Sequence, residues 1–159
     1  MSDPFYEFDK FIPRISLGYL LRRATKLSTI RIEAAFDGSD VSFTQWVVLA
    51  LVSTGTADTC TALARNMDHD SGAMTRLIDQ LEERGLVVRT RLEGDRRVSR
   101  LTVTDAGHAM VTTLVASVVG VWNEIIEGFE HDEIRQLIAT LTKLLARLEQ
   151  LEDSGAQAS

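Results

Sequence analysis

The sequence predicts a mainly α-helical fold with one small β-hairpin in its second half. Apolar residues recur with a period of about 3.6 at both ends of the chain, which is typical of amphipathic helices. Between residues 86 and 104 the pattern changes to two runs rich in β-branched residues, "LVVRTRL" and "VSRLTVT", on either side of "EGDRR". Two such runs around a short turn that contains glycine indicate a β-hairpin.

Capping and breaking residues delimit the first two helices. The segment 15–35 has a helical stripe, and "DGSD" at 37–40 ends it. Ser42 followed by Gln45 fits a capping box, in which two side chains satisfy N–H groups at a helix start. A second helix is therefore expected from Ser42 to the region of "STGTAD" at 53–58.

Two shorter helices are expected next. Asp58 is placed to cap the first, through "TCTALARNM", and Asp70 to cap the second, which continues to Arg84. Gly85 can terminate the second helix, because glycine accepts the left-handed conformation common at helix ends. With the hairpin that follows, this order is a helix-turn-helix and a β wing.

Two long helices are expected after the hairpin. Thr104 can cap the first, whose apolar stripe continues to Phe129, and "EHDE" at 130–133 separates it from the last. The last helix carries leucines at heptad spacing over two heptads, too few for an independent coiled coil: Leu137, Leu141, Leu144, Leu148 and Leu151. The tail, 151–159, is expected to be disordered.

Length and composition fit a cytoplasmic protein. A chain of 159 residues suits one compact domain, or one domain with helical extensions. No apolar run approaches the ~18 residues of a membrane span, and the N-terminus lacks the basic start and apolar stretch of a secretory signal. Cys60 is the one cysteine, so an internal disulfide is excluded. No membrane partner is expected.

The net charge of −6 conceals a basic segment. Residues 84–100 contain six arginines against Glu93 and Asp95, whereas residues 105–159 contain nine acidic and three basic side chains. A local cluster of one sign says more about binding than the overall charge does. The negative net charge therefore does not exclude a nucleic-acid partner.

The second helix of the helix-turn-helix has the faces that a recognition helix requires. At about 100° per residue, Leu77, Ile78 and Leu81 cluster around Met74, and the opposite side is small and polar with Arg76 near its start. The first turns of a recognition helix enter the major groove, where bulky side chains would prevent close approach. Taken alone, the pattern fits an amphipathic helix with a solvated outer face equally well.

Arginines at the hairpin tip favour nucleic-acid binding. Arg96 and Arg97 lie where side chains protrude and can reach a narrow minor groove, in which the potential is most negative. Asp95 is a poor choice for a phosphate site, but it can hold one guanidinium in a fixed orientation through a bidentate pair. The alternative is a polar turn with a surface ion pair.

The stretch "GDRRVSRLTVTDAG" resembles the wing motif of the MarR family of transcriptional regulators. In that family an Asp-x-Arg tip leads into a Leu-Thr-x-x-Gly helix start. Asp95 and Arg97 match the first part, and Val103, Thr104 and Gly107 stand at the second, with Val in place of Leu. "MTRLIDQLEERGLVVR" also resembles the family's recognition helix and first wing strand, so the specific resemblance covers about 42–107.

This resemblance implies a winged helix-turn-helix DNA-binding domain, 41–104, flanked by helical dimerisation regions at 1–36 and 105–150. It implies a homodimer on a pseudopalindromic operator in double-stranded DNA, and we expect a repressor. The apolar stripes at both ends agree, because one subunit alone could not bury them. The implied DNA-binding residues lie on the second helix and the wing: Ser71, Gly72, Ala73, Thr75, Arg76, Asp95, Arg96, Arg97 and Arg100.

The family also often binds aromatic acids or phenols between the DNA-binding lobe and the dimer arms. This implies a small aromatic acid or phenol as effector, with four candidate residues: Arg22, Arg23, Trp46 and His108. The alternative is that Trp46 and Trp122 are core residues. Gly72 stands where the family often has Ser or Thr, and His69 replaces a commonly aliphatic residue, so base preference does not transfer.

Other functions have weaker support. Cys60 makes a cysteine-based redox sensor of the same fold an alternative, although the sensing cysteines of relatives lie in the N-terminal helix and this one more resembles a buried structural residue. No pair of His69, His108 and His131 has the spacing of metal ligands, so no metal site is expected. We find no phosphate loop and no nucleophile with a base, and therefore expect neither an enzyme nor a cofactor. A protein-interaction module that does not bind DNA remains the other alternative.

Overall fold

The computed structural model of the chain describes residues 4–92 and 95–156, with the backbone alone for 91, 92, 95–98, 153, 155 and 156. The elements follow the predicted order, after a 3₁₀ turn at Pro13–Ile15: α1 (Leu17–Ala34), α2 (Phe43–Ser53), α3 (Cys60–Asn66), α4 (Ser71–Glu83), β1 (Val87–Leu92), β2 (Asp95–Val103), α5 (Asp105–Ile125) and α6 (His131–Ala156). The mainly helical fold with one small antiparallel sheet confirms the predicted fold class.

The chain divides into two compact units, Met1–Val121 and Trp122–Ser159. The first unit has an apolar core to which α1 to α5 and both strands contribute. Its largest fully buried side chains come mainly from α2, α3 and α4: Leu49, Leu63, Met74, Ile78, Leu81, Val41, Val48 and Val87. This core holds the helix-turn-helix and the base of the hairpin together.

The predicted boundaries of α2 and α4 are confirmed by their caps. Ser42 Oγ accepts a hydrogen bond from the Gln45 N–H at 3.2 Å, and Gln45 Oε1 accepts one from the Ser42 N–H at 3.0 Å. Asp70 Oδ1 accepts from the Ala73 N–H at 2.9 Å. Gly85 follows α4 with a φ of +69°, the left-handed conformation that glycine adopts without steric cost.

The prediction that Asp58 caps α3 is wrong, because Thr59 is the N-cap and its hydroxyl accepts from the Ala62 N–H at 3.2 Å. Asp58 instead belongs to an extended segment along β2. Its carbonyl accepts from the Leu101 N–H at 2.7 Å, and its carboxylate pairs with Arg100 at 2.8 Å. These contacts with β2 shift the helix start by one residue.

The hairpin is confirmed, with a different boundary at its tip. β1 and β2 pair antiparallel from Val87 opposite Val103 to Arg91 opposite Ser99, and the register then shifts so that Leu92 is opposite Asp95. β2 therefore begins at Asp95, so residues 95–97 belong to the strand and not to the predicted turn. Residues 93 and 94 lie outside the described residues.

The two C-terminal helices differ from prediction at their ends. α5 stops at Ile125, and Phe129 lies beyond it, because Gly128 has a φ of +86° that an α-helix does not continue through. In the second unit, α6 continues to Ala156 and not to 150. The Ser154 hydroxyl donates to the Gln150 carbonyl at 2.7 Å within this added turn, and 157–159 lie outside the described residues.

Exposed leucines mark one side of α6. Leu137, Leu148 and Leu151 are each about half exposed, as are Ile138 and Leu145. In the parts of the chain that the structure describes, no helix combines the length and apolarity needed to cross a membrane.

Candidate nucleic-acid interface

α4 presents the two faces that the sequence predicts. Met74, Ile78 and Leu81 are fully buried against the core, and Leu77 is half-buried. On the opposite side Arg76 is exposed. The burial of the inner face fixes the orientation of the helix, so its outer face is held in one position relative to the domain.

The first turn of α4 is accessible, with one polar group engaged. Ser71 and Gly72 are exposed, and Ala73 is half-buried. Thr75 is exposed, but its hydroxyl donates to the Ser71 carbonyl at 2.8 Å and lies 3.3 Å from the Cys60 thiol. Ser71, Gly72, Thr75 and Arg76 are thus all exposed, and the hydroxyl of Thr75 is already hydrogen-bonded within the domain.

Two acidic residues of α4 are paired with the first strand of the wing. Arg89 Nη2 lies 2.5 Å from Asp79 Oδ1, and Arg89 Nη1 lies 3.1 Å from Glu82 Oε2. The Arg89 N–H also donates to Glu82 Oε1 at 3.2 Å. One guanidinium thus pairs with Asp79 and Glu82 together, whereas Glu83 at the same end of α4 stays exposed.

Arg100 is also engaged within the domain. Its Nε lies 2.8 Å from Asp58 Oδ2, and its backbone bridges Thr59 next to the start of α3. The side chain remains exposed, with 59% of its surface accessible. Arg100 thus forms an ion pair that ties β2 to the segment before α3, and its side chain stays accessible to solvent.

The predicted wing-tip residues Asp95, Arg96 and Arg97 lie at the start of β2. Their backbone falls at the irregular end of the ladder, after the register shift. Their side chains lie outside the described residues, and so does the predicted pairing of Asp95 with Arg97.

A junction at the base of the hairpin connects α4, β2 and α5. The Thr104 hydroxyl donates to the Gly85 carbonyl at 2.7 Å and accepts from the Gly107 N–H at 3.1 Å. The Thr104 N–H donates to the Leu86 carbonyl at 3.1 Å. Thr104 is thus both the predicted cap of α5 and a connection to the end of α4, which explains the Thr-x-x-Gly spacing physically.

The four candidate effector residues lie on three helices. Trp46 on α2 donates its indole N–H to the Val111 carbonyl at 3.2 Å, and His108 Nδ1 lies 3.1 Å from the Ser53 hydroxyl. Both contacts join α2 to α5, and neither involves Arg22 or Arg23, which are both exposed on α1. Trp46 also stacks on Phe43 with ring centroids 6.1 Å apart, an arrangement that favours the core interpretation.

Two depressions lie near these elements. One, of about 380 Å³, is lined by residues of the α1–α2 connection between Glu33 and Thr44 and contains none of the four effector candidates. The other, of about 240 Å³, lies between α3, α4 and the hairpin, and Cys60 and Thr75 are among its lining residues. Cys60 is half-buried, less than the sequence interpretation supposes.

Metal-binding groups are dispersed in the described ranges. No cluster of three or more His, Cys, Asp or Glu side chains is found there. His69 Nδ1 lies 2.8 Å from the Met67 carbonyl, and His131 is the exposed first residue of α6.

Sequence reasoning missed Arg89 and Thr59, and it gave Asp58 the role of a helix cap where the structure pairs it with Arg100. The signal for Arg89 was its alternation with Val87, since residues two apart on a strand share a face and Val87 belongs to the core. The partners of Arg89, in contrast, lie seven and ten residues away on another element, which no local pattern indicates.

Comparison with known proteins finds a family match for part of the chain and a shared fold for most of it. A family model described as the MarR family matches residues 41–99. The chain is 27% identical to a MarR-family transcriptional regulator from Rhodococcus sp. RHA1, with a TM-score of 0.71 over 80% of this chain and 91% of that one. Wild-type MarR of E. coli in its apo form is 25% identical, with a TM-score of 0.72 over 82% and 98% of the two chains.

CouR from Rhodococcus jostii RHA1, solved with p-coumaroyl-CoA bound, is 26% identical, with a TM-score of 0.69 over 82% of this chain and 91% of that one. The matched model covers the helix-turn-helix and most of the wing, and the solved structures extend the likeness to the flanking helices. Residues 41–99 therefore carry a MarR-family domain, and the chain shares the fold of MarR-family transcriptional regulators over about 80% of its length.

Proposed function

We propose that the protein is a sequence-specific DNA-binding regulator that acts as a homodimer on a pseudopalindromic operator, and that it represses transcription. The observation that carries the proposal is the outer face of α4, on which Ser71, Gly72 and Arg76 are exposed while the inner face is fully buried. A rigid helix with small residues in its first turn can approach base edges in the major groove. Arg76 is the side chain long enough to reach a guanine.

The wing is the second DNA contact in this proposal. Arg96 and Arg97 follow the turn of the hairpin, and an arginine that enters a narrow minor groove reads its width and potential. Arg100, exposed beside Asp58, adds a phosphate contact from the base of the hairpin. The same fold occurs in S. aureus MepR, which was solved as a complex with DNA.

Dimerisation supplies the second half-site. The helical regions 1–36 and 105–150 are proposed to interlock two subunits, since exposed apolar residues recur along α1, α5 and α6. A symmetric dimer presents two copies of α4 and thus matches a pseudopalindromic site. Bound to such an operator, the dimer represses by excluding the polymerase.

A small aromatic acid or phenol is proposed to release the DNA. Among similar structures, CouR carries p-coumaroyl-CoA, and the DNA binding of Bordetella bronchiseptica BpsR is regulated by 6-hydroxynicotinic acid. Arg22, Arg23, Trp46 and His108 stay the candidate contacts. By linkage, a ligand that binds the DNA-free conformation more tightly lowers the affinity for DNA by the same factor by which it prefers that conformation.

DNA binding is tested by fluorescence anisotropy on duplexes from the region flanking the protein's own gene, with a salt titration. We expect Arg76→Ala to weaken binding to the preferred duplex by about 1–3 kcal/mol and to relax its sequence preference. Arg135→Ala is the matched control, since it removes the same charge from α6 and breaks only a surface pair with Asp132. Equal losses for the two variants, or no binding to any duplex at low salt, would contradict the proposal.

The effector is tested with salicylate-like compounds, by following tryptophan emission and DNA affinity together. Release of DNA accompanied by a change in emission supports the effector site. No response at millimolar concentration supports the interpretation of Trp46 as a core residue.

A further inference from the structure

We propose that Arg89 is a positioning residue that fixes the wing against the recognition helix α4 and thereby sets where the wing tip meets DNA. The inference deepens the proposed function and depends on it for the DNA contact. It assigns Arg89 to the alignment of the two DNA-contacting elements, and not to DNA itself.

The contacts of Arg89 converge on one side of α4. Its guanidinium lies 2.5 Å from Asp79 Oδ1 and 3.1 Å from Glu82 Oε2, and its backbone N–H donates to Glu82 Oε1 at 3.2 Å. Asp79 and Glu82 are three residues apart, so their side chains lie next to each other along the helix. The planar fork of one arginine thus pairs with two neighbouring carboxylates.

Along β1, the contacts of Arg89 with α4 follow directly on the apolar packing of Val87, in the direction of the hairpin tip. Val87, on the same side of β1 as Arg89, is 1% exposed in the core, whereas Val88 on the other side is 46% exposed. Beyond Arg89 the ladder has two more pairs, Thr90 opposite Arg100 and Arg91 opposite Ser99, before its register shifts. Arg89 therefore forms the outermost contact with α4 that the described side chains provide on β1.

Glu82 holds the strand in a defined register along α4. One of its oxygens accepts a hydrogen bond from the backbone of Arg89 and the other forms an ion pair with the Arg89 guanidinium, so a slip of β1 along the helix would break both contacts. Because the tip extends from this strand, a small rotation at Arg89 becomes a larger displacement at Arg97. A minor-groove contact that depends on position is sensitive to such a displacement.

Variants of Asp79 and Glu82 distinguish positioning from simple electrostatics, because the two explanations predict opposite changes in DNA affinity. The double variant Asp79→Asn with Glu82→Gln removes two negative charges from the DNA-binding domain and should tighten binding if charge alone matters. Positioning predicts the opposite, since the contact that holds the wing is lost. Glu83→Gln is the matched control, because Glu83 is an exposed acid of the same helix outside this cluster.

The first measurement is amide hydrogen exchange of the free, full-length protein. In the double variant we expect exchange in 87–92 and 95–103 to rise by about fivefold or more, while α2 exchanges at the parent's rate. Glu83→Gln should leave both segments unchanged. Unchanged exchange in the hairpin, or an equal rise throughout the domain, would overturn the positioning role whatever the protein does with DNA.

The second measurement is DNA affinity in two backgrounds. In the parent background we expect the double variant to bind about tenfold more weakly, and in an Arg97→Ala background to change affinity by less than about twofold. Tighter binding, or the same loss in both backgrounds, would overturn the proposal. If the parent binds no duplex, the proposed function fails, and the exchange measurement still decides whether Arg89 holds the wing.

Discussion

Gly107 lies so close to the Leu86 backbone that an added Cβ would be 2.2 Å from the Leu86 carbonyl oxygen. The same Cβ would be 2.6 Å from a methyl group of Val103. A backbone carbonyl cannot move aside as a flexible side chain can. The glycine of the wing motif is therefore required for space, at the point where the first turn of α5 packs on the start of the hairpin.

Gly107→Ala should lower the free energy of unfolding by about 2–3 kcal/mol, because the clash must be relieved by moving backbone. Gly120→Ala in the same helix is the control, since its Cβ would meet nothing within 4 Å and should stabilise by about 0.5–1 kcal/mol. Urea unfolding of both variants measures the difference. Similar effects at the two positions would contradict the packing argument.

Thr104→Val should destabilise the protein by about 1–2 kcal/mol, because one hydroxyl caps α5 and bonds the Gly85 carbonyl. Thr113→Val tests the same change at an exposed position of α5 where the hydroxyl only bonds the Ala109 carbonyl. Thermal unfolding should separate the two variants. A loss as large for Thr113→Val would mean that helix propensity, and not the junction, determines the effect.

Replacing Leu141 and Leu148 with Asp should dissociate the proposed dimer. Burying an unpaired carboxylate in an apolar interface costs several kcal/mol, which is about the cost of breaking a buried ion pair. Light scattering at micromolar concentration should give twice the chain mass of 17.6 kDa for the parent and the chain mass for the variant. Thr142→Asp, an exposed position outside the leucine stripe, should stay dimeric. A monomeric parent would refute the dimer.

Arg97→Ala should weaken DNA binding by about 1–3 kcal/mol per half-site and relax the preference for A·T pairs under the wing. Arg96→Ala, if it contacts only phosphate, should weaken all sequences evenly and lower the salt slope by about one per subunit. Anisotropy titrations on a set of duplexes at several salt concentrations distinguish these behaviours. If Arg96→Ala relaxes the A·T preference and Arg97→Ala weakens all sequences evenly, Arg96 is the minor-groove contact and Arg97 the phosphate contact.

Asp95→Asn should resemble Arg97→Ala, although it makes the wing more positive. The predicted pairing would orient the Arg97 guanidinium before insertion, and its loss increases the entropy lost on binding. The same titrations decide the question. Tighter binding by Asp95→Asn would show that net charge governs the wing and that Asp95 has no orienting role.

Cys60→Ser should bind DNA within about twofold of the parent, because a hydroxyl can keep the contact that the thiol makes with Thr75 at 3.3 Å. We also predict that both proteins respond equally to peroxide. DNA binding before and after peroxide treatment measures both expectations. Peroxide-induced release in the parent that disappears in the variant would instead support a redox-sensing regulator.

The helices, most of their caps and the hairpin could be predicted because their signals are local. A capping box needs residues three apart, and the buried face of α4 repeats with the period of the helix. The spacing alone therefore predicts the cap formed by Ser42 and Gln45. It likewise predicts the buried face formed by Met74, Ile78 and Leu81. The wing motif is local in the same sense, and it led to the family.

At positions where local rules allow several structures, contacts with residues distant in the sequence decided which structure forms. Both Asp58 and Thr59 can cap a helix, and Thr59 is the cap because β2 engages Asp58 through Leu101 and Arg100. Likewise, the apolar stripe of α5 continues in sequence to Phe129, but the left-handed Gly128 ends the helical path before that residue. Such choices depend on partners that sequence spacing does not reveal.

By itself, the sequence determined the order of the elements, the buried and exposed faces of α4 and the concentration of arginines around the hairpin. The tertiary structure decided how individual arginines are used. Arg89 is engaged by Asp79 and Glu82 of α4, and Arg100 by Asp58. The physical reason is that the charge of a residue is written in the sequence, whereas its neutralisation depends on which carboxylates the fold brings within about 4 Å.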